Sequence, residues 1–114
     1  MPFNTIFFFQ VNPSWAPLGA ARFKELIDSN FFKASRFFRV IDGFMAQFGI
    51  HANPKIAAEW KDKKIKDDKV TQKNERGMIS FATSGADSRT TQMFINFKDN
   101  LNLDGENSGI FISS

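Results

Sequence analysis

The most constraining feature of this sequence is the pair Asp42-Gly43, set between two apolar runs. Residues 37–41 read Phe-Phe-Arg-Val-Ile, and residues 44–50 read Phe-Met-Ala-Gln-Phe-Gly-Ile. An Asp-Gly pair tolerates the left-handed backbone that a tight hairpin turn requires. The two runs are therefore predicted to form antiparallel strands. Neighbouring side chains on a strand point to opposite faces. Met45 and Gln47 then share one face of the return strand, and Phe44, Ala46 and Phe48 share the other unless the strand bends at its start. The hairpin also sets one permanent cation, Arg39, among apolar side chains. That setting suits a ligand with an apolar body and a carbonyl to grip. It suits a phosphate or a metal less well.

The chain has 114 residues, enough for one domain over residues 1–114 with a modest core. It carries 15 Phe and no Tyr, so most rings are expected to fill that core. The absence of Cys excludes disulfides, thiolate metal sites and a Cys nucleophile. The net charge of +3 is mild. Seven of the 15 Lys and Arg residues lie in the run 55–73, which also holds Asp62, Asp67 and Asp68 and has only Trp60 for an aromatic. Such a mixed run reads as a solvated loop, and no nucleic-acid partner is expected. Phe7-Phe8-Phe9 is too short for a signal core and far too short for a membrane span. The expectation is a cytoplasmic protein that does not bind membranes.

Strands are predicted at residues 5–11, 37–41, 44–50, 78–82, 92–97 and 110–112. One helix follows Asn12-Pro13, with Ser14 as a possible cap and Pro17 in its first turn. Ala20, Phe23, Leu26 and Ile27 supply its apolar face, and residues 28–30 end it. Residues 52–75 read as a long surface loop, residues 83–91 as a shorter one, and residues 101–105 as a turn or short helical turn. On the strand at 92–97, Gln92, Phe94 and Asn96 share a face. His51 reads as a surface residue. Ser84, Ser88, Thr90 and Thr91 lack a His or carboxylate placed to make any of them a nucleophile.

Three segments together resemble the cyclophilin family of peptidyl-prolyl isomerases: FFRVIDGFMAQFGI (residues 37–50), GMISFATSGADSRTTQMFINFKDN (77–100) and LDG (103–105). WAPLGAARFKELI (15–27) is similar to the family's first helix. The resemblance covers residues 4 to 112. It implies an eight-stranded antiparallel β-barrel capped by two helices, with the site on the barrel's outer surface. It implies Arg39 as the catalytic residue. Phe44, Met45, Phe94 and Leu103 would form a proline pocket. Gln47 would orient Arg39, and Gln92, Ala82 and Thr83 would line the peptide groove. The implied activity is isomerisation of X-Pro bonds in peptides and unfolded proteins, with no metal and no cofactor.

The chain departs from the family at several points. Asn102 stands where a Trp or His often precedes the matched leucine, which argues against tight cyclosporin binding. Thr83 and Phe48 replace a frequent Asn and Gly. The family's first strand and its C-terminal third have no counterpart. The expected fold is therefore mainly β with one helix. It is a cyclophilin-like antiparallel β-barrel, incomplete within one chain, either completed by oligomerisation or left as an imperfect monomer. A proline-peptide-binding module or an assembly subunit on the same scaffold is the alternative to an enzyme.

Overall fold

A computed structural model describes residues 9–34, 36–103 and 109–113. Six short strands form one antiparallel sheet: β1 (Phe9–Val11), β2 (Arg39–Ile41), β3 (Met45–Phe48), β4 (Met78–Phe81), β5 (Met93–Asn96) and β6 (Gly109–Ser113). Their order is β1-β6-β4-β5-β3-β2. Among the described residues the sheet is open, with β1 and β2 at its edges. Residues 5–8 of the first predicted strand and 104–105 of the predicted turn lie outside the described residues.

The Asp42-Gly43 hairpin forms as the sequence requires. Gly43 has φ +69°, and the Phe44 amide donates to the Ile41 carbonyl at 3.0 Å. The turn takes in Phe44, so β3 begins at Met45. The register pairs Arg39 with Gln47, Val40 with Ala46 and Ile41 with Met45. β3 then pairs with the central strand β5, Gln47 against Phe94 and Phe48 against Met93.

One face of the sheet carries the core. Phe48, Met93, Ile95, Ile79 and Phe81 meet Phe23 and Leu26 of helix α1 (Pro17–Asp28), with Phe31 beside them. Phe48 is buried there and packs against Phe32 and Phe37 at ring separations of 5.7 and 5.4 Å. These tilted and edge-on ring contacts accommodate the large side chain at position 48. On α1, Gly19, Ala20, Arg22, Phe23 and Leu26 are buried, so Ala20, Phe23 and Leu26 lie on the core side as expected. Ile27, expected on that side too, is 50% exposed.

Ser14 does not cap α1. The N-cap position is Ala16, which has no capping side chain. The cap comes instead from Asp68, whose two carboxylate oxygens accept the Leu18 and Gly19 amides at 2.9 Å each. A carboxylate at this end satisfies orphan donors and complements the helix dipole. The same carboxylate pairs with Arg89 at 3.0 Å. Arg89 is 1% exposed, with its guanidinium 5.4 Å from the Phe81 ring centroid.

The long surface loop expected at 52–75 is a second correction, and it raises the helix count from one to two. Residues 54–61 form helix α2 (Pro54–Lys61). Asn53 caps it through the Lys55 amide at 2.9 Å, and Pro54 occupies the first turn. Trp60 lies between two cations, with the Arg22 guanidinium 5.3 Å and the Lys63 ammonium 4.5 Å from its ring centroid. Arg22 also donates to the Thr90 carbonyl at 3.1 Å and to the Lys63 carbonyl. The charged run is thus bolted down by buried arginines from α1 and the 83–91 loop. Among the described residues, no helix is long and apolar enough to cross a membrane.

Candidate active site

The register across three strands sets Arg39, Gln47 and Phe94 in a row. Strand β4 adds Ser80 opposite Phe94. Phe48 and Met93 lie on the core face, so alternation places this row on the opposite face of the sheet. Directly paired residues on one face have Cβ atoms about 5 Å apart.

The row is graded from wet to dry. Arg39 is exposed on the edge strand, Gln47 is buried, and Phe94 is 3% exposed. Met45 is buried on β3, while Phe44 is half-buried at the end of the turn. Leu103, on the 3₁₀ turn Leu101–Leu103, is half-buried and donates its amide to the Asn100 carbonyl at 3.0 Å. Gln47 does not spend its side chain on Arg39. Its Nε2 donates to Oε1 of Gln92 at 3.0 Å, while it meets Arg39 through the ladder.

Four expected residues open onto a second region. Gln47, Ala82, Thr83 and Gln92 line a cavity of about 880 Å³. Arg39, Phe44, Met45, Phe94 and Leu103 are not part of its wall. The predicted set therefore divides into an apolar patch beside a cation and a cavity wall, joined at the Gln47–Gln92 bond. Gly49 turns the chain between them. Its φ is +105°, and a Cβ there would sit 2.2 Å from the Thr91 carbonyl oxygen, so only glycine fits. The Thr91 hydroxyl donates to the Gly49 carbonyl at 2.7 Å, fastening the same crossing.

Beneath the apolar patch lies an amide network. Asn74 Oδ1 accepts the Ser80 hydroxyl at 2.7 Å and Asn96 Nδ2 at 3.2 Å. Asn100 Nδ2 donates to Asn96 Oδ1 at 2.9 Å and to the Phe44 carbonyl at 3.0 Å. The Asn100 amide donates to the Asn74 carbonyl at 2.7 Å, and the Phe97 amide to the Phe44 carbonyl at 2.9 Å. All four side chains are buried. A buried amide without partners would be costly, so these bonds fix the loops that carry Phe44 and Leu103. Alternation placed Asn96 on the Phe94 face. Its partners Asn74 and Asn100 carried no sequence signal, because the network joins segments remote in sequence.

His51 is half-buried at the surface. Its ring lies 5.3 Å from Phe31, its Nδ1 accepts the Asn53 amide at 2.9 Å, and it lines the cavity. Ser88 is occupied in its own loop, accepting the Ser84 amide at 2.8 Å and donating to the Gly85 carbonyl at 2.7 Å. Among the described residues, no group of His, Cys, Asp or Glu is placed to hold a metal.

Comparison with known proteins agrees with this architecture. The sequence model described as cyclophilin type peptidyl-prolyl cis-trans isomerase/CLD matches residues 5–111. The chain therefore belongs to the cyclophilin-type peptidyl-prolyl cis-trans isomerase family. The peptidyl-prolyl cis-trans isomerase-like 3 of Neurospora crassa is 35% identical over 100 residues, covering 81% of this chain and 60% of that protein. Peptidyl-prolyl cis-trans isomerase A of Dickeya dadantii is 39% identical over 98 residues, covering 78% of this chain and 47% of that protein. The chain thus spans about half the length of such relatives. A Cryptosporidium parvum cyclophilin type isomerase, crystallised in the presence of the dipeptide ala-pro, matches the fold with a TM-score of 0.79. That match covers 95% of this chain and 72% of the other, at 22% identity.

Proposed function

We propose that this chain is a single-domain peptidyl-prolyl cis–trans isomerase acting on X-Pro bonds of peptides and unfolded proteins. The observation that carries the reading is the Arg39–Gln47–Phe94 row, a cation one strand from an amide and two strands from an apolar ring. Rotation about a peptide bond costs about 18–20 kcal/mol because it breaks amide resonance. In the twisted state the prolyl nitrogen becomes pyramidal and regains its lone pair. Arg39 donates to that nitrogen and holds the adjacent carbonyl, favouring the twisted amide over either planar form. Phe44, Met45, Phe94 and Leu103 grip the proline ring while the preceding carbonyl swings. Gln92, Ala82 and Thr83 seat the flanking backbone, with Gln92 held by Gln47. The chemistry needs no metal, cofactor, acid or base.

A prolyl-peptide isomerisation assay on wild type and Arg39→Ala tests this reading. Turnover that disappears in the variant supports it. A wild type that binds prolyl peptide without turnover supports a binding module instead. Asn102, lacking a ring, argues for weak cyclosporin affinity in either case.

The barrel is completed, in this reading, by pairing between copies at the exposed sheet edge. Val40 supports it, since its register partner Ala46 is buried and yet Val40 is 62% exposed. Phe38 and Ile41 beside it are also exposed. An apolar edge strand whose outer ladder is unpaired among the described residues is a template for another strand. We place the protein in the cytoplasm, a location that cell fractionation tests.

A further inference from the structure

The 880 Å³ cavity has a wall that the row of expected site residues does not explain. Helix α2 forms it. Pro54, Ala57, Ala58 and Lys61 line the cavity, at positions three and four apart on one side of the helix. The small alanines leave room, and Lys61 stands at the far end of that stripe. Lys64, just beyond the helix, lines the same cavity. The ion pairs among the described residues are Arg22–Glu25, Lys24–Asp28 and Arg89–Asp68. Among the described residues, neither lysine of the wall belongs to one of these pairs. Asp62 also lines the cavity, so its ionic rim carries two positive charges and one negative.

We propose that Lys61 and Lys64 make this cavity a charge-selective subsite, which favours prolyl substrates carrying an acidic side chain near the X-Pro bond. The inference rests on the isomerase reading above and deepens it. Gln47 and Gln92 belong to both the predicted groove and the cavity wall, so a peptide seated at the row delivers a flanking side chain to α2. An aliphatic stem of Glu packs on Ala57, Ala58 and Ile50, and its carboxylate meets the lysines at the rim. Asp62 and the carbonyl end of α2 oppose an anion, and both lysines are exposed. The preference is therefore modest, about fivefold, and weakens as salt is added.

The test uses matched prolyl peptides with Glu or Gln scanned over the three positions on either side of the X-Pro pair. Wild type and a Lys61→Glu/Lys64→Glu double variant are compared in kcat/KM at low and high salt. The expected result is a Glu-over-Gln ratio of about five at one position, lost at high salt and inverted in the variant. Equal rates for Glu and Gln at every position, or a ratio the variant leaves alone, overturn the proposal. Fluorescence anisotropy with the same labelled peptides reads the same ratio without turnover. A Glu preference in binding with no isomerisation overturns the isomerase reading and keeps the subsite. Binding of neither peptide overturns both.

Discussion

Strands β5 and β2 lie on either side of β3 and contribute opposite ends of one row, yet they are built differently. β5 pairs with β3 and β4, and all its residues are buried. Among the described residues β2 pairs with β3 alone, and all its residues are exposed. Phe94 is therefore held by two ladders and an amide network, while Arg39 is held by one ladder. The comparison teaches that the floor of the site and its cation are separable. The floor is a matter of packing, and the cation sits on a lightly held strand, where the proposed mechanism gives it the chemistry.

Substitutions at the two ends should break in different currencies. Phe94→Ala empties a packed position and should lower unfolding free energy by about 3–5 kcal/mol, measured by denaturant titration. A loss below about 1 kcal/mol would show that the floor is not packed. Arg39→Ala should cut kcat/KM about a hundredfold. Because Arg39 is exposed, its unfolding free energy should stay within about 0.5 kcal/mol of wild type. Equal damage to stability would erase the distinction between floor and edge.

A smaller effect is expected at the joint between the regions. Asn100→Ala removes donors to the Phe44 carbonyl and Asn96, and should cost about 1–3 kcal/mol of stability. By loosening the loops that carry Phe44 and Leu103, it should raise KM for prolyl peptides more than it lowers kcat. The reverse split would assign the network to the cation rather than the pocket. At the edge itself, Val40→Lys should change monomer stability by at most about 0.5 kcal/mol. It should, however, convert an assembly into monomers in native mass spectrometry. A wild type already monomeric at micromolar concentration would remove the case for pairing at this edge.

The hairpin, the alternation on β3 and the placement of Phe94 with Asn96 were legible because each depends on a local rule. Asp42-Gly43 fixes a turn, and period two assigns faces. Helix α2 was hidden by its charges, although Asn53-Pro54 is a cap and first-turn pair followed by Ile56, Ala57 and Trp60. Its polarity misleads because none of its residues is fully buried, and only Ile56 and Trp60 pack against the core. The cap of α1 could not be read at Ser14 because Asp68, fifty residues away, performs it. The division of the site between patch and cavity was equally invisible. Strand spacing says which residues share a face, but not which neighbouring helix encloses them.

Trp60 gives the protein an optical gauge of its own. The chain has two tryptophans, and this one rests 5.9 Å from Phe31 with a cation on either flank. Indole emission follows the charges and water around the ring. A change in how α2 seats against the rest of the molecule therefore alters the colour and intensity of intrinsic fluorescence, and no added label is needed to watch that wall respond.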